Sequence, residues 1–86
     1  MGEDGHIASI FPDSENLYKR FIAKPVIRKD FKRITLSLNV INKSKKILLW
    51  LNNKSKSKIF LKIKLKGKKI PVNNLNNKNT IIYKIN

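Results

Sequence analysis

The segment Ile34-Thr35-Leu36-Ser37-Leu38 alternates apolar with polar residues, the period of a strand with one buried face. Ile47-Leu48-Leu49-Trp50-Leu51 is an unbroken apolar run, the pattern of a central strand covered on both faces, and Asn52-Asn53 ends it. Thr80 to Ile85 predicts a short final strand. Ala23 to Ile27 is extended, because the residue before Pro25 avoids the helical region. Arg28-Lys29-Asp30 follows as a polar loop, and Val40 to Lys46 forms a connector of one or two helical turns. Residues 7–11 suit a short helix or turn. Pro12-Asp13-Ser14 breaks it, with Asp13 or Ser14 placed to cap a turn through Asn16-Leu17-Tyr18.

Residues 54–66 read two ways. Phe60 to Lys66 alternates like a strand, which the alternation alone favours. Ile59, Ile63 and Lys66 also share a helical face, lysine and leucine favour helix, and Gly67 suits a helix C-cap with Pro71 beyond it. Asn73 to Asn79 is a polar loop, and Trp50 and Phe60 are expected in the core. There is no internal repeat. The elements suit part of an α/β sheet but are too few to close one. Strand 47–51 expects cover on both faces while the chain offers one good helix, so further neighbouring elements are expected.

Composition narrows the classes. A chain of 86 residues allows one small domain, which buries only about 60% of its unfolded surface. No cysteine is present, so neither disulfides nor a Cys-based metal site is expected, and a single histidine argues against zinc or non-haem iron. No apolar run is long enough to span a bilayer, and the first residues lack a signal-peptide layout, so no membrane and a cytoplasmic location are expected. The net charge is +15, and all five acids lie at or before Asp30. Residues 1–30 therefore balance to zero, and residues 31–86 carry the whole excess. That asymmetry admits a non-enzymatic protein that binds RNA or ribosomes through residues 43–69. The basic residues are 17 Lys against 3 Arg, however, and Phe60 is the only aromatic between Lys54 and Lys69. Sequence readers use arginine forks, and single-strand binders interleave aromatics. Lys, Asn and Ile make up 41 of the 86 residues and all use A/T-rich codons, so a solvated surface explains the charge with no nucleic-acid partner.

The chemistry is concentrated at the start, in Gly2-Glu3-Asp4-Gly5-His6-Ile7-Ala8-Ser9-Ile10-Phe11-Pro12. Asp4 and His6 flank Gly5, so a tight turn can aim both side chains at one substrate atom. Histidine titrates near neutrality and can take and return a proton. Ser9 has no second histidine or nucleophile elbow beside it, so it packs or caps.

This string resembles the G-x-G-x-D-G-H-x-A-S-L-F-P signature of the 6-phosphogluconolactonases, with Ile10 in place of leucine. The related glucosamine-6-phosphate deaminases share D-G-H but continue differently, so Ser9 to Pro12 favours the lactonase branch, with the deaminase kept as an alternative. Arg33 to Leu38 is similar to the family's R-I-T-L-T-L strand, and Val40-Ile41-Asn42 to the V-I-N that follows. Lys56 falls at the lysine of T-G-x-x-K, although Asn53 replaces its glycine. Ile70-Pro71-Val72 and the residues from Tyr83 to Asn86 match later family motifs weakly. The likeness decides residues 54–66 in favour of a helix.

The resemblance implies an α/β fold: the C-terminal part of a Rossmann-like three-layer domain over residues 1–86, incomplete on its own. It implies hydrolysis of 6-phospho-D-gluconolactone to 6-phosphogluconate without a cofactor. His6 is expected to act as general base and then acid, Asp4 to orient His6 or the water, and N–H groups around Gly5 and His6 to form an oxyanion site. Arg33 and Lys56 take the phosphate. The expected partners are the lactone substrate and either the missing N-terminal part or a second copy. The 86 residues alone are expected to fold poorly and to have little activity.

Overall fold

The computed structural model describes residues 1–13 and 21–84. The cap expected at Ser14, the turn at 16–18 and the last two residues fall outside them.

Residues 1–10 form a compact entry. Gly5 N–H donates to Gly2 O at 3.0 Å, and Ile7 and Ile10 bridge antiparallel around Ala8, whose φ is +49°. Of the short helix or turn expected at 7–11, the chain takes the turn. Two strands follow, β1 (Ala23–Ile27) and β2 (Lys32–Leu36), as an antiparallel hairpin with Val26 opposite Arg33. Pro25 is tolerated because β1 has only one neighbour, so its missing N–H faces no second strand. The polar loop 28–30 is as expected, closed by Arg28 N–H on Phe31 O at 3.2 Å.

Two expectations for this hairpin are corrected. Leu38 is not in the strand: Ser37 caps a five-residue helix α1 (Leu38–Asn42), its hydroxyl accepting from Val40 N–H at 3.1 Å. The buried face of β2 is also the polar one. Ile34 is 79% exposed, whereas Thr35 is buried. Thr35 Oγ1 accepts the Ser9 N–H at 3.0 Å and donates to Leu36 O, so the buried hydroxyl is satisfied.

A βαβ unit completes the chain: β3 (Ile47–Leu51), α2 (Lys54–Lys64), a 3₁₀ turn at Pro71–Asn74, and β4 (Thr80–Lys84). β3 and β4 pair in parallel, Leu48 beside Ile81 and Trp50 beside Tyr83. Asn53 caps α2 by accepting Lys56 N–H at 2.8 Å, and α2 turns Phe60 and Ile63 inward. The helix wins over the alternating strand because this spacing buries both side chains at once. Gly67 adopts a φ of +81° just beyond its end. The polar loop after it is pinned by asparagines: Asn73 donates to Ile63 O and Gly67 O, while Asn42 donates to Asn74 O and accepts from Asn76 N–H.

The core joins Ile7 and Ile10 to Leu38, Leu49, Leu51, Phe60, Ile63, Val72 and Leu75. It lies on one face of β3. The face expected to be covered on the other side is open: Leu48 is 62% exposed, and Trp50, expected in the core, is 63% exposed. The two sheets, β1–β2 and β3–β4, are separate. No helix among the described residues is long and apolar enough to cross a membrane.

Candidate active site

The turn at Gly5 holds the acid and the imidazole together. Gly5 has a φ of +86°, and a Cβ there would collide with the Ile70 methyl. Its carbonyl accepts Val72 N–H at 3.1 Å. Glycine is therefore required both by the left-handed backbone and by seating on the α2 and Pro71 elements. Gly2 lies against the imidazole of His6, where a Cβ would overlap the ring.

Asp4 Oδ1 makes two contacts with His6. It accepts the backbone N–H at 3.0 Å and lies 2.6 Å from ring Nδ1. Burial opposes the charge on Asp4. The hydrogen bonds from the His6 N–H and ring, with the ring's charge, outweigh it and hold the carboxyl below its ordinary value. An ionised carboxylate only accepts, so Nδ1 carries the proton. In the neutral ring that leaves the lone pair on Nε2, which makes no hydrogen bond among the described residues. The side chain of His6 keeps 29% of its surface exposed. An oriented imidazole with an open Nε2 is the geometry of a general base.

The Phe11 ring links this pair to two cations. Its centroid is 4.5 Å from that of His6. The Arg28 guanidinium stacks over it at 3.9 Å, and Arg33 lies 5.4 Å from its centroid. Both arginines are held by carboxylates: Arg28 by Asp13 at 2.8 Å and Arg33 by Asp30 at 2.5 Å. The Arg33 bond holds Asp30 below its ordinary value. Arg33 Nε is buried without a partner, a donor still to be satisfied. A depression of about 510 Å³, lined by Phe11, Arg28 and Asp30 among others, opens beside the cluster.

The expected residues are distributed unequally. Asp4 and His6 are in contact, and Arg33 reaches them through Phe11. Lys56 sits in the first turn of α2, where its charge adds to burial in lowering the Met1 ammonium pKa. No described contact joins it to His6 or Arg33. The oxyanion expectation at Gly5 has no free donor here, since Gly5 N–H is bonded to Gly2 O and His6 N–H to Asp4. Arg28 was missed: local sequence places it in a loop. Only the hairpin register, which sets Val26 opposite Arg33, brings residue 28 to the same face two positions on. Among the described residues, no three His, Cys, Asp or Glu side chains group as metal ligands.

Comparison with known proteins adds three findings. The family model described as "Glucosamine-6-phosphate isomerases/6-phosphogluconolactonase" matches residues 1–83. A "Probable 6-phosphogluconolactonase" of Dictyostelium discoideum is 37% identical over 68 residues, covering 70% of this chain and 28% of that relative. The chain thus spans under a third of the relative's length. No solved structure matches significantly.

Proposed function

The chain belongs to the glucosamine-6-phosphate isomerase/6-phosphogluconolactonase family, and from that premise we propose that it carries the proton-transfer centre for opening 6-phospho-D-gluconolactone with water. The observation that carries this reading is the Asp4–His6 contact at 2.6 Å, which leaves Nε2 as the accepting atom. The Ser9 to Pro12 continuation of the motif supports the lactonase branch over the deaminase.

In the proposed reaction, Nε2 of His6 takes a proton from water as the water oxygen bonds to the lactone carbonyl carbon. The carbonyl electron pair moves onto oxygen. When that pair returns, the bond from the carbon to the ring oxygen breaks, and the imidazolium gives its proton to the departing oxygen. The product is the open-chain acid, 6-phosphogluconate. Asp4 stabilises the imidazolium between the two transfers. Arg33 binds the phosphate by its planar fork, with the unpartnered Nε contributing one donor. Arg28 stands on the same ring and adds a second cation. Lys56 is proposed as an outer contact.

The test places residues 1–86 into the Dictyostelium relative in place of its matched segment. Lactone hydrolysis is then followed against the uncatalysed rate. His6→Gln is expected to lower kcat about 10²–10⁴-fold. Undiminished turnover in that variant overturns the reading, and so does faster conversion of glucosamine 6-phosphate than of the lactone.

A further inference from the structure

Helix α2 turns Phe60 and Ile63 into the core and keeps an outward face exposed. Lys54, Lys58 and Lys62 recur on that face at every fourth position, all exposed, with Lys66 following one turn on, just past the helix. Leu61 and Leu65 lie beside this row, one turn apart, 64% and 88% exposed. All five acids of the chain lie at or before Asp30, so the helix has no carboxylate of its own. No ion pair among the described residues involves Lys54, Lys58 or Lys62. Like charges four positions apart on a helix repel, and lysines in the first turn oppose the positive end of its dipole. An anionic surface laid along the row relieves both costs. A solvated surface accounts for the lysines but not for two exposed leucines in their midst.

The side chains of this face select among polyanions. RNA is gripped by arginine forks and by aromatic rings that stack on bases. No arginine occurs after Arg33, and the one aromatic of α2, Phe60, is buried. Leucine adds nothing to the grip on a sugar–phosphate backbone. Docking in a polypeptide groove takes anchors at three or four helical positions, and Phe60 and Ile63 already belong to the core of this chain. An anionic bilayer needs neither forks nor a deep apolar face. Lysine stems lie along its surface with their ammonium heads at the phosphates, and apolar side chains between them enter the acyl boundary. Attachment to a surface needs no spanning run, so the lack of one among the described residues does not bear on it.

We propose that the outward face of α2, with Lys54, Lys58, Leu61, Lys62 and Leu65, is a docking surface for an anionic phospholipid bilayer, held by the lysines and entered by the two leucines. This binding is independent of lactone hydrolysis.

The full chain and the chimera described above are sedimented with vesicles of phosphatidylcholine, with and without about one-third phosphatidylserine. Both proteins are expected to follow the anionic vesicles and not the neutral ones, and the helical ellipticity of the chain should rise on binding. Each lysine at such a surface is worth about fivefold in partition, so Lys58→Glu with Lys62→Glu should lower it at least about tenfold. Lys32→Glu with Lys46→Glu makes the same change in net charge at exposed sites off the helix and should lower it at most about threefold. Leu61→Ser with Leu65→Ser keeps every charge and should lower it about tenfold. Trp50, the only tryptophan of the chain, stands on the face of β3 turned away from the core shared with α2, so its emission should not shift. Equal losses from the two lysine pairs overturn the proposal, because net charge alone then suffices. So do indifference to the leucine pair, equal binding to neutral vesicles, a blue shift of Trp50, no binding by the chimera, or tighter binding of polyuridylate than of the anionic vesicles. None of these readings is an activity assay, so failure here and failure of the lactonase reading are separable.

Discussion

At the scale of single residues, the site depends on a backbone that only glycine tolerates. Gly5→Ala adds a left-handed alanine, costing about 1–3 kcal/mol, and drives a methyl into Ile70. A lower urea midpoint is expected, together with loss of the Asp4–His6 contact in histidine NMR spectra. Asp4 sets an acid limit. Its folded pKa lies below the ordinary value of 3.8, so its stabilisation is complete above that value and is lost as pH falls through the lower folded value. Urea midpoints from pH about 6 down to about 2 should fall less steeply in Asp4→Asn than in the native chain. The pairing of Asp4 with His6 was legible in the sequence because three adjacent residues and one turn define it. The roles of Phe11 and Arg28 were not, because they arise from contacts of Phe11 with hairpin arginines 17 and 22 positions further along the chain.

Elements show the same division between local and distant causes. Helix α2 was not readable from its own pattern, where alternation favoured a strand and only the family likeness decided for a helix, because the pairing of Phe60 with Ile63 on one inward face is set by the core they meet; its cap, by contrast, is local. Asn53→Ala should cost about 1 kcal/mol, checked by helical ellipticity and thermal midpoint. β2 is the opposite case. Its alternation was evident, but alternation says only that two faces differ, and Thr35 and Ser37 face inward. Ser9 N–H and the start of α1 supply the partners that make a polar inner face possible. Thr35→Val preserves shape but strands the buried Ser9 N–H. A loss of about 1–3 kcal/mol is expected, with faster hydrogen exchange at Ser9.

For the whole molecule, the sequence pattern already implied a sheet with too few layers, and the open faces of β2 and β3 bear this out. What no pattern within the chain could reveal is which face of β3 stays bare, because that is decided by what covers it. The isolated 86 residues are expected to melt broadly in circular dichroism, since the core rests on one side of a two-stranded sheet. The two sheets share no strand, and the residues of the proposed site are divided between them. The arginines ride on the hairpin, while the turn that carries the imidazole is bonded at Gly5 to the helix-backed unit through Val72 and at Ser9 to the hairpin through Thr35, so it bridges the two. Under the proposed function, gentle warming of the chimera should open this bridged seam and draw the arginines away from the imidazole before either lobe unravels, so that KM deteriorates at lower temperatures than kcat.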